Sequence, residues 1–209
     1  MKLLLLGATG LVGAHLLELA LADERVTSVV APVRRPLKSH HKLYAPVIDF
    51  ENLSENGDIW TADAGVCVLG STMEKAGSQD AFYHVDYELP MNAARLAQEN
   101  HTPVWVLNSA AGACRQSHFF YNRVKGHLES DLASLNFNSL TIVKPGIISG
   151  CRKEFRPGEK ALVVGLNLIS PFIGKRWRPV SAVNIAKALL EAAINPSLGN
   201  NVVLSEQML

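Results

Sequence analysis

The sequence predicts a doubly wound parallel α/β sheet, formed by one domain that spans all 209 residues. Short apolar runs alternate with amphipathic helical segments along most of the chain, with short connections between them. The run at 64–69 is apolar throughout, which is typical of a parallel strand that helices cover on both faces. Residues 147–180 interrupt the alternation, and we expect them to form a small substrate cap over the carboxyl ends of the strands.

The strands and helices can be assigned in chain order from these patterns. The predicted strands are 2–6, 26–33, 45–50, 64–69, 103–108, 139–143 and 201–204. The predicted helices are 14–22, 78–100, 119–135, 161–169 and 182–194, since apolar residues recur about every three to four positions along each. Pro90 is expected to kink or divide the second helix, and Ser181 to cap the last one.

A glycine turn joins the first strand to the first helix. Gly7 would let the chain leave the strand in a tight turn, and Gly13 would let the helix lie close to the sheet. Gly10 would let a pyrophosphate approach the positive end of that helix. Because the turn follows a strand and opens a helix, it predicts a dinucleotide-binding unit, with an ordinary strand-turn-helix as the alternative.

The end of the second strand favours NADP(H) over NAD(H). An NAD site usually carries an acidic residue about 20 positions after the glycines, but 27–38 contains no Asp or Glu. Arg34 and Arg35 stand there instead, and a guanidinium can pair with a 2′-phosphate at two points. The alternative is a solvated basic loop. Asp49 and Phe50, at the end of the third strand, could flank the adenine. The alternative for Asp49 is that it caps the turn that follows.

Three polar residues predict a site for hydride transfer to a carbonyl. Tyr121 and Lys125 are four residues apart on a predicted helix and therefore lie on one face, where the ammonium would lower the pKa of the phenol. Ser109 ends a strand twelve residues earlier. Tyr121 would donate a proton, Ser109 would hold the substrate oxygen, and Lys125 would hold the ribose and tune Tyr121. The alternative for Tyr121 and Lys125 is an ordinary pair on a surface helix.

These motifs resemble the short-chain dehydrogenase/reductase superfamily, and most closely its atypical branch related to the mammalian Tat-interacting tumour suppressor. The resemblance covers most of the chain and includes 7–13, 34–35, 47–50, 67–72, 75–77, 85–86, 109, 120–121, 124–126, 145–146 and 156–159. It implies an NADPH-binding Rossmann fold with strand order 3-2-1-4-5-6-7. Lys144 departs from the family, which usually has Arg before Pro-Gly.

The resemblance also implies how the cofactor is held. The glycine turn, with Thr9, Leu11 and Val12, would meet the pyrophosphate. The ribose would lie along Leu69, Gly70 and Ser71, and the nicotinamide end would meet Pro145, Gly146 and Ile147. The expected function is an NADP(H)-dependent reductase of a small carbonyl compound. A non-catalytic NADPH sensor is the second hypothesis, and an enzyme related to sugar-nucleotide epimerases and dehydratases is the third.

Composition narrows the partners and the location. The net charge is +1, so no basic field favours nucleic acid or an anionic membrane, and no apolar run approaches a membrane span. The three cysteines are odd in number and widely spaced, and together with the lack of a signal peptide they predict a cytoplasmic protein without a metal site. The basic loop Arg152–Arg156 either attracts an anionic substrate or is solvated. The sequence is compatible with a monomer and with a homodimer.

Overall fold

The computed structural model describes residues 1–53, 57–149 and 179–209, which form a parallel sheet between two layers of helices. The strands are β1 Lys2–Leu6, β2 Ser28–Val30, β3 Leu43–Tyr44, β4 Ala64–Cys67, β5 Val104–Asn108, β6 Ser139–Lys144, β7 Ile148–Ser149, β8 Val180–Ser181 and β9 Gly199–Leu204. The helices are α1 Leu11–Ala22, α2 Gly57–Trp60, α3 Met73–Ala76, α4 Gln79–Tyr83, a π-helical turn His84–Glu88, α5 Leu89–Glu99, α6 Phe120–Ala133, α7 Ala182–Ile194 and a final 3-10 turn Ser205–Met208.

The main sheet has the order β3-β2-β1-β4-β5-β6-β9, with every neighbouring pair parallel. This confirms the predicted doubly wound Rossmann fold and its strand order, with β9 as the predicted seventh strand. The order reverses between β1 and β4. In open α/β sheets, ligands bind at the carboxyl ends of the strands beside such a reversal.

Helices cover both faces of the sheet, which explains why its central strands are apolar throughout. On one face α1 and α7 bury side chains such as Leu16 and Ile185 against Leu3 and Leu5. On the other face α5 and α6 bury their apolar sides against the alternate residues of β1, including Leu4. The side chains of β1 from Leu3 onward are fully buried, so β1 anchors the glycine turn that follows it.

Two strands on the β3 edge are shorter than predicted. The third strand is Leu43–Tyr44 rather than 45–50, and only an isolated bridge between Val33 and Val47 continues the pairing. The second strand is reduced to Ser28–Val30. Pro32 and Pro46 explain both corrections, since a proline has no N–H to donate to a neighbouring strand.

The predicted helix 78–100 consists of α4, the π-helical turn and α5 without a gap between them, so the helix type changes in its middle. The amide of Leu89 bonds to the carbonyl of His84, five residues back, so the turn before Pro90 is widened to a π turn. A wider turn accommodates the proline ring, which would otherwise clash with the carbonyl four residues earlier. Ser78 caps the beginning of this run, and Ser181 caps α7 as predicted.

The predicted cap, 147–180, falls largely outside the described residues, as do the predicted helix 161–169 and the loop with Arg152 and Arg156. Its described ends form the short parallel pair β7 and β8, which the sequence patterns did not predict. Within the part of the chain that the structure describes, no helix is both long and apolar enough to span a membrane.

Candidate active site

The glycine turn after β1 depends on two glycines that no other residue could replace without a backbone shift. Gly7 has a φ of +89°, a left-handed conformation that is costly for residues with a Cβ. A Cβ on Gly13 would lie 2.0 Å from the carbonyl oxygen of Gly7. Gly13 therefore lets α1 begin directly against the turn, as the sequence predicted for a close approach of helix and sheet.

The first turn of α1 offers free donors at the carboxyl edge of the sheet. Its N-cap is Gly10, which supplies no side-chain hydrogen bond, and its first turn contains no acidic residue. Helix N-termini usually carry such a cap because their first N–H groups have no partner within the helix. The missing cap leaves these donors and the positive end of the helix dipole available to an anion such as a pyrophosphate.

A cavity of about 560 Å³, here called the arginine-side cavity, lies beside this turn. Its lining includes Gly7, Thr9, Gly10, Arg34, Phe50, Glu51, Leu69, Gly70 and Ser71. Arg34 is exposed and lines the cavity, whereas Arg35 is exposed but is not among the lining residues. The two predicted arginines are thus placed differently, and only Arg34 faces this space.

Of the two predicted residues after the third strand, only Phe50 lines the arginine-side cavity. Asp49 is exposed, and its carboxylate accepts hydrogen bonds from the Asn52 side chain at 2.8 Å and the Glu51 amide at 3.0 Å. These bonds hold the pKa of Asp49 below its usual range. Asp49 therefore caps the turn that follows it.

A second cavity of about 500 Å³, the tyrosine-side cavity, brings the three predicted catalytic residues together. Its lining includes Leu11, Val12, Met73, Asp86, Asn108, Ser109, Tyr121, Lys125 and Ile148. Gly10, Leu69, Gly70 and Ser71 line both cavities, so the two spaces adjoin across these residues. An extended ligand could therefore reach from the glycine turn and Arg34 to Tyr121.

The residues predicted to meet the nicotinamide lie next to the tyrosine-side cavity in sequence but do not line it. Pro145, Gly146 and Ile147 are not among the described residues that line the tyrosine-side cavity, whereas Ile148 is. The backbone of 145–147 is engaged elsewhere: Gly146 donates to the Ser205 hydroxyl at 3.0 Å, and Ile147 accepts from the Val180 amide at 2.8 Å. These bonds join the segment to β8 and the C-terminal turn.

Lys125 is buried against an acidic residue that the sequence analysis assigned no role. Its ammonium Nζ lies 2.8 Å from Oδ1 of Asp86, and the two side chains are only 4% and 0% exposed. The other carboxylate oxygen of Asp86 accepts from the Ser71 amide at 2.7 Å. Asp86 thereby joins the catalytic helix α6 to the loop that lines both cavities.

Both members of this pair have shifted pKa values. Burial raises the pKa of Asp86, although Lys125 and the Ser71 amide oppose that shift by favouring the carboxylate. Burial by itself would lower the pKa of Lys125, but the negative charge of Asp86, together with Tyr121, outweighs it and raises that pKa. The proton therefore stays on Lys125, which is a cation at neutral pH.

A second ionic group holds Ser109. The Ser109 hydroxyl donates to Oε1 of Glu129 at 2.5 Å, and Oε2 of Glu129 lies 2.7 Å from the Lys144 ammonium. Lys144 also donates to the carbonyl of Ala113 at 3.3 Å. The Glu129 and Lys144 side chains are 17% and 12% exposed, so this group is largely shielded from water.

Asp86 and Glu129 were missed for different reasons. Glu129 lies four residues after Lys125 and eight after Tyr121, so helical spacing places all three on one stripe and could have revealed it. Asp86 depends on the π turn before Pro90, which was not predicted.

Cys67, at the end of β4, is excluded as a nucleophile because burial raises the pKa of its thiol to about 11.

Comparisons with known proteins identify the family of this chain and its fold. No family model matches the chain. It is 32% identical over 206 residues to the mitochondrial protein fmp52 of Aspergillus clavatus, covering 93% of this chain and 86% of the relative. It is also 32% identical over 214 residues to protein HTATIP2 of Rattus norvegicus, covering 97% and 85%. The chain belongs to the HTATIP2/Fmp52 family. This family assignment confirms the predicted resemblance to atypical short-chain dehydrogenase/reductases.

Solved structures with low sequence identity share the fold of this HTATIP2/Fmp52 family member. The Bordetella bronchiseptica enzyme WbmH, solved with NAD⁺, matches with a TM-score of 0.69 at 17% identity, over 98% of this chain and 75% of that chain. The human epimerase family protein SDR39U1, solved with NADPH, matches with a TM-score of 0.64 at 16% identity, over 98% and 74%. These likenesses support the Rossmann fold itself.

The relatives contradict one expectation. Several fungal Fmp52 proteins, including those of Aspergillus clavatus and Candida albicans, are named as mitochondrial. The cytoplasmic location expected from the cysteine content is therefore wrong by this comparison. The physical reason is simple: free cysteines indicate a reducing environment and do not distinguish the cytosol from other reducing compartments.

Proposed function

We propose that this chain is an NADP(H)-dependent oxidoreductase that transfers hydride to a small carbonyl compound. The observation that carries the proposal is the meeting of Ser109, Tyr121 and Lys125 in one cavity that adjoins the glycine turn and Arg34. The short-chain dehydrogenase/reductase family and the nucleotides bound by proteins of the same fold support it.

The residues present fit a phosphorylated dinucleotide. The uncapped N-terminus of α1 offers N–H donors for a pyrophosphate, and Gly7 and Gly10 both line the cavity beside it. Arg34 supplies a fork of donors for a 2′-phosphate at the far end of the arginine-side cavity. A bound cofactor would supply the hydride, and the protein would supply binding, orientation and the proton.

The proton would come from Tyr121. As hydride reaches the carbonyl carbon, the electron pair of the C=O bond moves to oxygen, which takes the Tyr121 hydroxyl proton and becomes an alcohol. The tyrosinate that remains shares the cavity with the Lys125 cation until solvent returns the proton. Asp86 fixes the Lys125 ammonium from the opposite side and also orders the Ser71 amide in the same cavity.

The test is a panel of small aldehydes and ketones with NADPH oxidation as the readout. Tyr121→Phe should keep NADPH binding and lose at least about 100-fold in kcat, since it removes the general acid. Tyr83→Phe is the matched control, because Tyr83 stacks on Tyr87 away from both cavities. Turnover unchanged in Tyr121→Phe would remove Tyr121 from the mechanism. NADPH binding without activity on any compound would favour a non-catalytic NADPH sensor instead.

A further inference from the structure

The direction of the Ser109 hydroxyl is set by the residues behind it. A serine hydroxyl has one proton to donate and two lone pairs with which to accept. In this structure the Ser109 hydroxyl donates to Oε1 of Glu129, 2.5 Å away, which is the short limit for a hydrogen bond from a hydroxyl to a carboxylate. A ligand in the tyrosine-side cavity would therefore meet the lone pairs of Ser109.

Lys144 holds one carboxylate oxygen of Glu129 as an acceptor. Its ammonium lies 2.7 Å from Oε2 of Glu129 and is held in turn by the carbonyl of Ala113. An ammonium has only donors, so the oxygen that faces it must accept. The Lys144 ammonium and the Ser109 hydroxyl thus each donate to one oxygen of the Glu129 side chain.

We propose that Glu129 is a positioning residue that turns the Ser109 hydroxyl into an acceptor, so that the site prefers an alcohol over the corresponding carbonyl compound. Of Tyr121 and Ser109, a carbonyl oxygen can form a hydrogen bond only with Tyr121, because it has no proton to donate to Ser109. An alcohol can accept from Tyr121 and also donate its own proton to Ser109. The inference rests on the proposed oxidoreductase function and specifies which side of its reaction the resting site binds more tightly.

Glu129→Gln gives an opposite prediction from the same geometry. The Lys144 ammonium needs an acceptor, so the Gln carbonyl oxygen should face Lys144 and the amide NH₂ should face Ser109. Ser109 would then accept from that NH₂ and turn its own proton toward the cavity. Lys144→Met leaves the Glu129 carboxylate in place. It should therefore make the Glu129 side chain less fixed, but the Ser109 hydroxyl should still donate to it.

The experiment uses benzyl alcohol and benzaldehyde as probes. Their affinities are measured by ligand-observed NMR for the free protein and for complexes that cannot react, benzyl alcohol with NADPH and benzaldehyde with NADP⁺. Ser109→Ala should weaken benzyl alcohol about five- to tenfold and leave benzaldehyde nearly unchanged, since only the alcohol loses a hydrogen bond. Glu129→Gln should shift the alcohol-to-aldehyde preference about tenfold toward the aldehyde.

Controls separate this role from a structural one. The preference should stay with the alcohol in Lys144→Met, and should not move in Glu18→Gln, which changes an exposed glutamate on α1. In the Ser109→Ala background, Glu129→Gln should have no further effect on the preference, because its influence passes through Ser109.

Two outcomes would overturn the inference. One is that Ser109→Ala weakens the binding of benzaldehyde and leaves the binding of benzyl alcohol unchanged. The other is an equal change for both probes in Glu129→Gln. The affinities for both probes are also measured without nucleotide. A failure of NADPH to bind would therefore contradict the proposed function, while the preference of the free protein for alcohol or aldehyde could still be determined.

Discussion

The arginine-side and tyrosine-side cavities adjoin, but they hold their charged groups in opposite ways. Arg34 lies exposed at the rim of one cavity. Lys125 lies buried beneath the other, 2.8 Å from Asp86 and with 4% of its side chain exposed. An exposed cation costs little to keep and contributes mainly to affinity. A buried ion pair is costly to break and fixes the position of a group that must not move.

The largest expected effect comes from breaking the buried pair. Asp86→Ala should lower the free energy of unfolding by about 3–5 kcal/mol, because it leaves the Lys125 cation buried without its partner. Urea denaturation measures the change. Asp131→Ala is the matched control on α6, and its half-buried bond to Tyr87 should cost no more than about 1.5 kcal/mol.

The double variant Asp86→Ala/Lys125→Met sharpens this prediction. Removing both charges should restore a large part of the stability that the single change loses, since the uncompensated ammonium is gone. A single Asp86→Ala variant as stable as Asp131→Ala would show that the buried pair does not distinguish the tyrosine-side cavity.

At the other end of the cleft, Arg34→Ala should change affinity rather than stability. Loss of one guanidinium from a 2′-phosphate should weaken binding of adenosine 2′,5′-bisphosphate about tenfold, measured by calorimetry. Adenosine 5′-monophosphate, which lacks the 2′-phosphate, should bind both proteins equally. Arg35→Ala should have the smaller effect, because Arg35 does not line the cavity. Equal losses in the two variants would contradict this division between neighbouring arginines.

The smallest effect concerns the loop at the arginine-side cavity. His84 lies 2.6 Å from Glu88 and 3.0 Å from Glu51, which lines that cavity. The hydrogen bond with Glu88 raises the pKa of His84 despite partial burial, and Glu51 adds to the shift. A raised folded-state pKa stabilises the protein at pH values below the unfolded value of about 6.5, and this stabilisation disappears as the pH rises through the folded value.

His84→Gln should therefore lose up to about 1 kcal/mol of stability at pH 5.5 and almost none at pH 9, since the pair is partly exposed. Thermal unfolding across this pH range measures the difference. Glu88→Gln should remove most of the pH dependence. A difference between wild type and His84→Gln that grows toward pH 9 would have the wrong sign for this account.

What the sequence could predict depends on whether the signal was local. The glycine turn and the helix with Tyr121 and Lys125 follow from spacing and periodicity, which are properties of neighbouring residues, whereas the strand order was implied by the resemblance to short-chain dehydrogenase/reductases. The short β3 and the π turn follow from Pro46 and Pro90, whose effects depend on which strand or turn lies beside them. Asp86 meets Lys125 only after two helices pack together, so no pattern in the chain could show that contact.

The same contrast applies to the predicted site residues. Ser109, Tyr121 and Lys125 line one cavity because each ends a strand or shares one helix face, and such positions converge at the carboxyl edge of a sheet. Ile147 does not line that cavity, and its carbonyl accepts a hydrogen bond from Val180, which lies far away in the sequence. The direction of the Ser109 hydroxyl likewise depends on Glu129, on another element.

The most direct test of the account is a fluorescence titration of the wild-type protein with NADPH and NADH at the same salt concentration. If one cofactor lies across both cavities and Arg34 selects its 2′-phosphate, NADPH should bind at least about tenfold more tightly than NADH. Equal affinities, or tighter binding of NADH, would contradict the proposed use of the arginine-side cavity.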